Sequence, residues 1–148
     1  MDRADFRLTD GHPKVVGSFG SADDLRGADP AHVRASCDLV EVRLDLLAAD
    51  SDGTESAPWQ HLQDAPKLFT ARRAEEGGAL SLDAKARMNL LEQILDDAAL
   101  IDIEAASIHE MEPLLRTLAS HGIPWIASFH DFEKLPDVRI LEENARRA

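Results

Sequence analysis

The sequence predicts an α/β protein built on a parallel sheet. Three observations carry this. Short apolar runs of strand length alternate five times with longer amphipathic stretches. Successive strands separated by helix-length segments cannot pair as tight hairpins and return parallel. Polar residues gather where the apolar runs end, the rim on which parallel α/β folds carry their chemistry. An open doubly wound sheet and part of a (β/α)₈ barrel both fit. A full barrel typically takes about 250 residues, and the 148 residues here cover about five of its eight units.

Each element has a local reason. Residues 1–12 read as an N-terminal extension and 13–148 as the domain. Pro13 marks entry to a strand over 14–19. Residues 21–35 are helix-like but broken by Gly27 and Pro30, so two pieces are expected. Residues 38–44 alternate, with Leu39, Glu41 and Arg43 on one side and Val40, Val42 and Leu44 on the other. A polar loop over 50–57 precedes a short helix near Trp59 to Gln63. The third strand covers 66–72, and Gly77-Gly78 breaks the chain into a loop. Ser81 is the expected N-cap of a helix to Asp97. A fourth strand over 100–104, a helix from Glu110 to Ser120 stopped by Gly122, a fifth strand over 123–129 and a helix from Pro136 complete the order.

Composition narrows the function. The chain carries 28 acidic and 16 basic residues, a net charge of −12. Such a surface repels phosphate backbones and anionic lipid, so neither nucleic acid nor membrane is the expected partner. The single cysteine, Cys37, forms no internal disulfide. The N-terminus is too charged for a signal peptide, and no apolar run reaches membrane-spanning length. The expected setting is the cytoplasm. No histidine or cysteine pair has metal-ligand spacing, and neither GxGxxG nor GxxxxGK[ST] occurs. No metal and no cofactor are expected.

The polar strand ends are the candidate site. Ser18 ends the first strand. Glu41, Arg43 and Asp45 end the second, Thr70 and Arg72 the third with Glu76 beyond, Asp102 and Glu104 the fourth, and Ser128, His130 and Asp131 the fifth. Singly, each has an ordinary reading as an exposed charge or a structural histidine. Together they share one rim. Charges aimed inward are costly unless paired, and Glu41, Arg43, Arg72 and Glu104 can pair among themselves.

Glu41-Val42-Arg43-Leu44-Asp45, Thr70-Ala71-Arg72 with Glu76-Gly77-Gly78, Ile101-Asp102-Ile103-Glu104 and Ser128-Phe129-His130-Asp131-Phe132 occur in that order. This succession resembles the strand-end motifs of type I 3-dehydroquinate dehydratase, a (β/α)₈ barrel. Pro13 to Ser18 resembles that family's first strand. The resemblance implies dehydration of 3-dehydroquinate to 3-dehydroshikimate in the shikimate pathway, through a lysine Schiff base and without cofactor. It implies that His130 is the acid/base residue, with Glu104 or Asp102 orienting its imidazole. It makes Ser18, Glu41, Arg43, Arg72 and Glu76 substrate-binding, Arg72 through a bidentate contact, and lets Phe132 line the mouth.

The departure concerns the lysine. The family carries it on a sixth strand, and this chain ends before one. Lys14 and Lys67 begin strands, Lys85 lies on a helix, and Lys134 follows His130 in an exposed loop. The expectation is a truncated member, inactive by itself. The alternatives are a small-carboxylate-binding module without catalysis, a barrel lyase or aldolase that matches by convergence, and a homodimer in which a second copy covers the open strand edges.

Overall fold

The computed structural model describes residues 11–49 and 57–147. Five parallel strands lie in chain order: β1 (Val16–Phe19), β2 (Leu39–Arg43), β3 (Lys67–Thr70), β4 (Leu100–Glu104) and β5 (Trp125–Ser128). Sequential order with every crossover on one side is the succession of a (β/α)₈ barrel wall. A doubly wound sheet would reverse its strand order at a switch point. Within the described residues β1 and β5 are the sheet's edges.

Among the described residues six α-helices connect or follow the strands: α1 (Ala22–Gly27), α2 (Pro30–Ser36), α3 (Leu44–Ala49), α4 (Ala84–Glu92), α5 (Glu112–His121) and α6 (Val138–Arg147). The break between α1 and α2 falls where Gly27 and Pro30 placed it. Ser21 caps α1 by accepting from the Asp24 amide at 3.1 Å, and Asp29 caps α2 by accepting from the His32 amide at 2.7 Å.

Three local expectations are corrected. Helix α3 was not foreseen; it starts at Leu44, directly after β2, because Leu44 and Leu47 bury on one helical face. Helix α4 starts from Asp83, not Ser81: the Asp83 carboxylate takes the Ala86 amide at 2.7 Å. It ends at Glu92, short of Asp97. Residues near Trp59 form turns rather than a helix. There the indole is buried, donates from Nε1 to Asp97 at 2.9 Å, and meets Phe69 edge-on at 5.1 Å. The loop expected over 50–57 lies outside the described residues except for Ala57.

The two faces of the sheet differ. Val40, Val42, Phe69, Ile101 and Ile103 face the helices and pack with Leu47, Leu91, Leu114 and Leu118 in the main core. Each of these side chains contributes about 1.5–3 kcal/mol when fully buried. On the other face Leu39, Leu68 and Leu100, with Ile126, form a small apolar floor. Period-two alternation then places Ser18, Glu41, Thr70, Asp102 and Ser128 one step beyond that floor. Arg43 and Glu104 follow, with Arg72 continuing the series past β3. Apolar floor and polar rim are successive residues of the same strands.

Candidate functional site

Arg72 is the hub of the rim. It follows β3 and is buried, with 5% of its surface exposed. A buried guanidinium requires partners. Its Nη2 donates to Asp102 Oδ2 at 2.8 Å, and Nη1 donates to Ser128 Oγ at 3.0 Å and to His130 Nδ1 at 2.9 Å. Glu41 Oε1 and Glu104 Oε1 each stand 3.7 Å away. The bidentate substrate contact expected of Arg72 is therefore not what its fork makes here: both terminal nitrogens are occupied by rim residues.

His130 sits beyond β5 between two unlike charges. Arginine only donates, so toward Arg72 the neutral ring accepts at Nδ1 and carries its proton on Nε2. The same Nδ1 lies 3.3 Å from Glu76 Oε2, which also accepts the His130 backbone amide at 2.8 Å. A ring protonated at Nδ1 can donate only to Glu76. The imidazole thus has a defined partner in each protonation state. Phe132 stacks on it, ring centres 6.0 Å apart.

Glu76 reaches His130 because of two glycines. It ends a short 3-10 turn, Ala74–Glu76, closed by Gly77 at φ +87°. A Cβ at Gly78 would lie 2.3 Å from the Arg72 carbonyl, so only glycine lets the loop fold back on its own start. The place beside the imidazole that the sequence offered to Glu104 or Asp102 is held by Glu76. Glu104 points elsewhere: its Oε1 accepts the Arg73 amide at 3.1 Å and its Oε2 accepts from Arg87 Nη1 at 3.0 Å. No hydrogen bond joins Glu104 to His130 among the described residues.

Glu41 is a receiver of hydroxyls. It accepts from Ser18 Oγ at 2.5 Å and from Thr70 Oγ1 at 2.7 Å. Arg43 turns to Asp45 instead, donating from Nε to Oδ1 at 3.0 Å and from Nη2 to Oδ2 at 2.8 Å. It keeps 18% of its side chain exposed. Burial pushes the Asp45 carboxyl upward, but the Arg43 bond and the Ala79 and Arg72 amides outweigh it and hold the group below its ordinary range. Asp102 goes the other way. Burial raises it, with Arg72 opposing, and its Oδ1 has no hydrogen-bond partner.

The structure brings Ser18, Glu41, Arg72, Glu76, Asp102, Glu104 and His130 into one network of hydrogen bonds and ion pairs, with Arg43 tied to its edge through Asp45. Asp45 is a rim residue for which the sequence suggested no role, and Arg87 is one it did not place at the rim. Asp45 continues the Leu39–Glu41–Arg43 alternation by one step, which was its signal. Arg87 lies on α4 four residues before buried Leu91, a charge at a core position, and its Nη2 also reaches Ser107 at 3.0 Å and Glu110 at 2.7 Å. Among the described residues no group of three or more histidines, cysteines or acids is arranged to hold a metal ion. No helix is long and apolar enough to cross a membrane.

Of the lysines, Lys134 lines a cavity together with Glu76, His130 and Phe132. Lys67 is buried at the opposite end of β3, its Nζ donating to the carbonyls of Leu62 at 2.9 Å and Ala65 at 3.2 Å. Burial lowers its pKa. Lys85 and Lys134 are exposed.

Residues 21–148 match the family described as Type I 3-dehydroquinase. The 3-dehydroquinate dehydratase of Methanothrix thermoacetophila is 34% identical over 137 residues, 92% of this chain and 57% of that protein. That of Methanocella arvoryzae is 31% identical over 124 residues, 84% of this chain and 54% of that protein. The solved 3-dehydroquinate dehydratase of Enterococcus faecalis aligns with a TM-score of 0.72 at 27% identity, over 95% of this chain and 63% of that one. The chain spans about half the length of the curated relatives it matches.

Proposed function

The chain belongs to the type I 3-dehydroquinase family, and from that premise we propose that its rim is the proton-handling part of a 3-dehydroquinate site. The observation that supports this is the placing of His130 Nδ1 between Arg72 and Glu76. An acid/base group must hold a proton in one step and release it in the next, and this imidazole has a partner for either state.

In the proposed reaction a lysine amine condenses with the substrate ketone, releasing water and forming an imine. The imine acts as an electron sink, so the neighbouring C–H becomes acidic. His130 takes that proton, the electron pair forms the new C=C bond, and the β-hydroxyl leaves. His130 returns its proton to that hydroxyl, which departs as water. Hydrolysis of the imine frees 3-dehydroshikimate and regenerates the amine. Glu76 stabilises the imidazolium, and Arg72 holds the neutral ring in register. Glu41 receives a substrate hydroxyl in place of Ser18 or Thr70. Asp45 and Gly77 occupy Arg43 Nε and Nη2, which leaves Nη1 for the substrate carboxylate.

Lys134 lines the cavity of Glu76 and His130 but is exposed in the loop beyond them, whereas an imine-forming lysine is activated by a desolvated pocket or a cationic neighbour. That favours binding without turnover for this chain by itself. The test is a titration of the isotope-labelled chain with 3-dehydroquinate, followed on the His130 amide and ring resonances. Saturable shifts at His130, weakened in Glu41→Gln, are expected. A folded chain whose His130 signals do not move at millimolar ligand would overturn the proposal.

A further inference from the structure

Asp45, a motif residue with no role expected from the sequence, accepts four hydrogen bonds at the rim. It is wholly buried in the first turn of α3. Its Oδ1 accepts Arg43 Nε at 3.0 Å and the Arg72 amide at 3.2 Å. Its Oδ2 accepts Arg43 Nη2 at 2.8 Å and the Ala79 amide at 3.1 Å. Four donors around one carboxylate fill its acceptor capacity.

Those donors come from both ends of one loop. Arg72 opens the 72–79 segment and Ala79 closes it. Arg43, itself fixed by Asp45, also donates to the Gly77 carbonyl at 3.3 Å. Glu76 lies within the segment so closed. It is not bonded to Asp45, yet its position depends on where both loop ends are pinned. The other group flanking His130 is the side chain of Arg72, whose own amide Asp45 holds. Both partners of the imidazole are therefore aimed from a single buried carboxylate.

We infer that Asp45 is a positioning residue that sets the Glu76–His130 pair by tying together the two ends of the 72–79 loop. The inference deepens the proposed function and rests on reading Glu76 and His130 as its proton-handling pair. Geometry of this kind matters because proton transfer requires hydrogen-bond reach, and a loop displaced by an ångström takes Glu76 out of it.

The isosteric change Asp45→Asn keeps volume and replaces one acceptor oxygen with an amide that repels its two donors. The readout is site-resolved hydrogen exchange of the free chain, with the His130 amide cross-peak as its signature, since that amide donates to Glu76. The His130 amide is expected to exchange about tenfold faster or more by local opening, while Val42 and Ile103 in the sheet, which track global stability, stay among the most protected amides. Acceleration at Ala79 with His130 unchanged would refute the inference, because Asp45 would then hold the loop without setting the pair. Should Asp45→Asn not fold, Gly78→Ala carries the test. Its methyl cannot stand 2.3 Å from the Arg72 carbonyl, so the loop must lift. The same selective loss at His130 is expected, and its absence overturns the inference. No ligand enters these measurements, so failure of 3-dehydroquinate to bind is scored separately.

Discussion

Replacing Arg72 with methionine should damage folding before it damages binding, and should do so in a pH-dependent way. Methionine keeps much of the volume and removes the charge. Asp102, with 5% exposure, then loses the 2.8 Å bond from Arg72, and its Oδ1 already lacks a partner. Stripping one member from a buried ion pair costs about 3–5 kcal/mol, because the survivor stays desolvated. Glu41 and Glu104 suffer less, since they keep hydroxyl and Arg87 donors respectively. The sign with pH follows from Asp102. Burial already raises its folded pKa, and Arg72 is the leading force holding it down. Without Arg72 the folded group binds its proton more tightly than the unfolded one. Stability then falls as pH rises through the raised folded value, so the variant is weakest at neutral pH and recovers toward acid. Urea denaturation of wild type and Arg72→Met at pH 5 and pH 7.5 measures this. Arg72→Met with Asp102→Asn should regain most of the neutral-pH loss. A cost below about 1 kcal/mol, or one equal at both pH values, refutes the buried-pair reasoning.

Three further outcomes follow from the same geometry. In any longer form or assembly that turns over 3-dehydroquinate, His130→Ala should slow kcat by about 10²-fold or more, and a near-normal rate would remove His130 from proton transfer. Asp45→Asn should lower stability at neutral pH by about 3 kcal/mol. Because the folded carboxyl lies below its ordinary value of 3.8, that contribution is present above this pH and fades as pH falls through the folded value; equal losses at pH 7 and pH 2.5 in denaturant titrations would contradict it. Gly77→Ala should cost about 1–2 kcal/mol from the left-handed backbone alone, and should displace the Phe132 ring, whose nearest atom stands 2.8 Å from the new methyl. An unchanged Phe132 ring spectrum would show that the loop sits differently.

The parts of the fold that were legible in the sequence are those fixed by local periodicity. The alternation at Leu39 to Arg43 placed both faces of β2, and Ile101-Asp102-Ile103-Glu104 read directly as β4. Pro30 and Gly27 located a helix break. Boundaries decided by competition were less readable. Ser81 and Asp83 both suit an N-cap, and only the fold selects Asp83. Helix α3 hid behind the alternation of β2, since Leu44 fits a strand pattern and a helix start alike.

The site divides in the same way. Gathering on one rim follows from strand parity, so its membership was readable. Pairing was not, because it depends on loop paths. Glu104 and Asp102 looked suited to His130 by their place on the neighbouring strand. The 72–79 loop instead carries Glu76 across to it, and Glu104 turns to Arg87 on a helix that no local pattern links to β4. Arg72 looked like a free fork for a carboxylate. Inside a wall of acids, its donors went to the protein first.

Under the proposed function the rim binds 3-dehydroquinate and none of Lys14, Lys67, Lys85 and Lys134 forms the imine. Intact-mass spectrometry tests both halves at once. The chain is brought to saturation with 3-dehydroquinate, judged by the His130 resonances, and then treated with borohydride to trap any imine as an amine. The expected result is a saturable His130 response and an unmodified mass. A reduced adduct, mapped by peptide sequencing to Lys134 or another of the chain's own lysines, would contradict it and place the Schiff base within this segment.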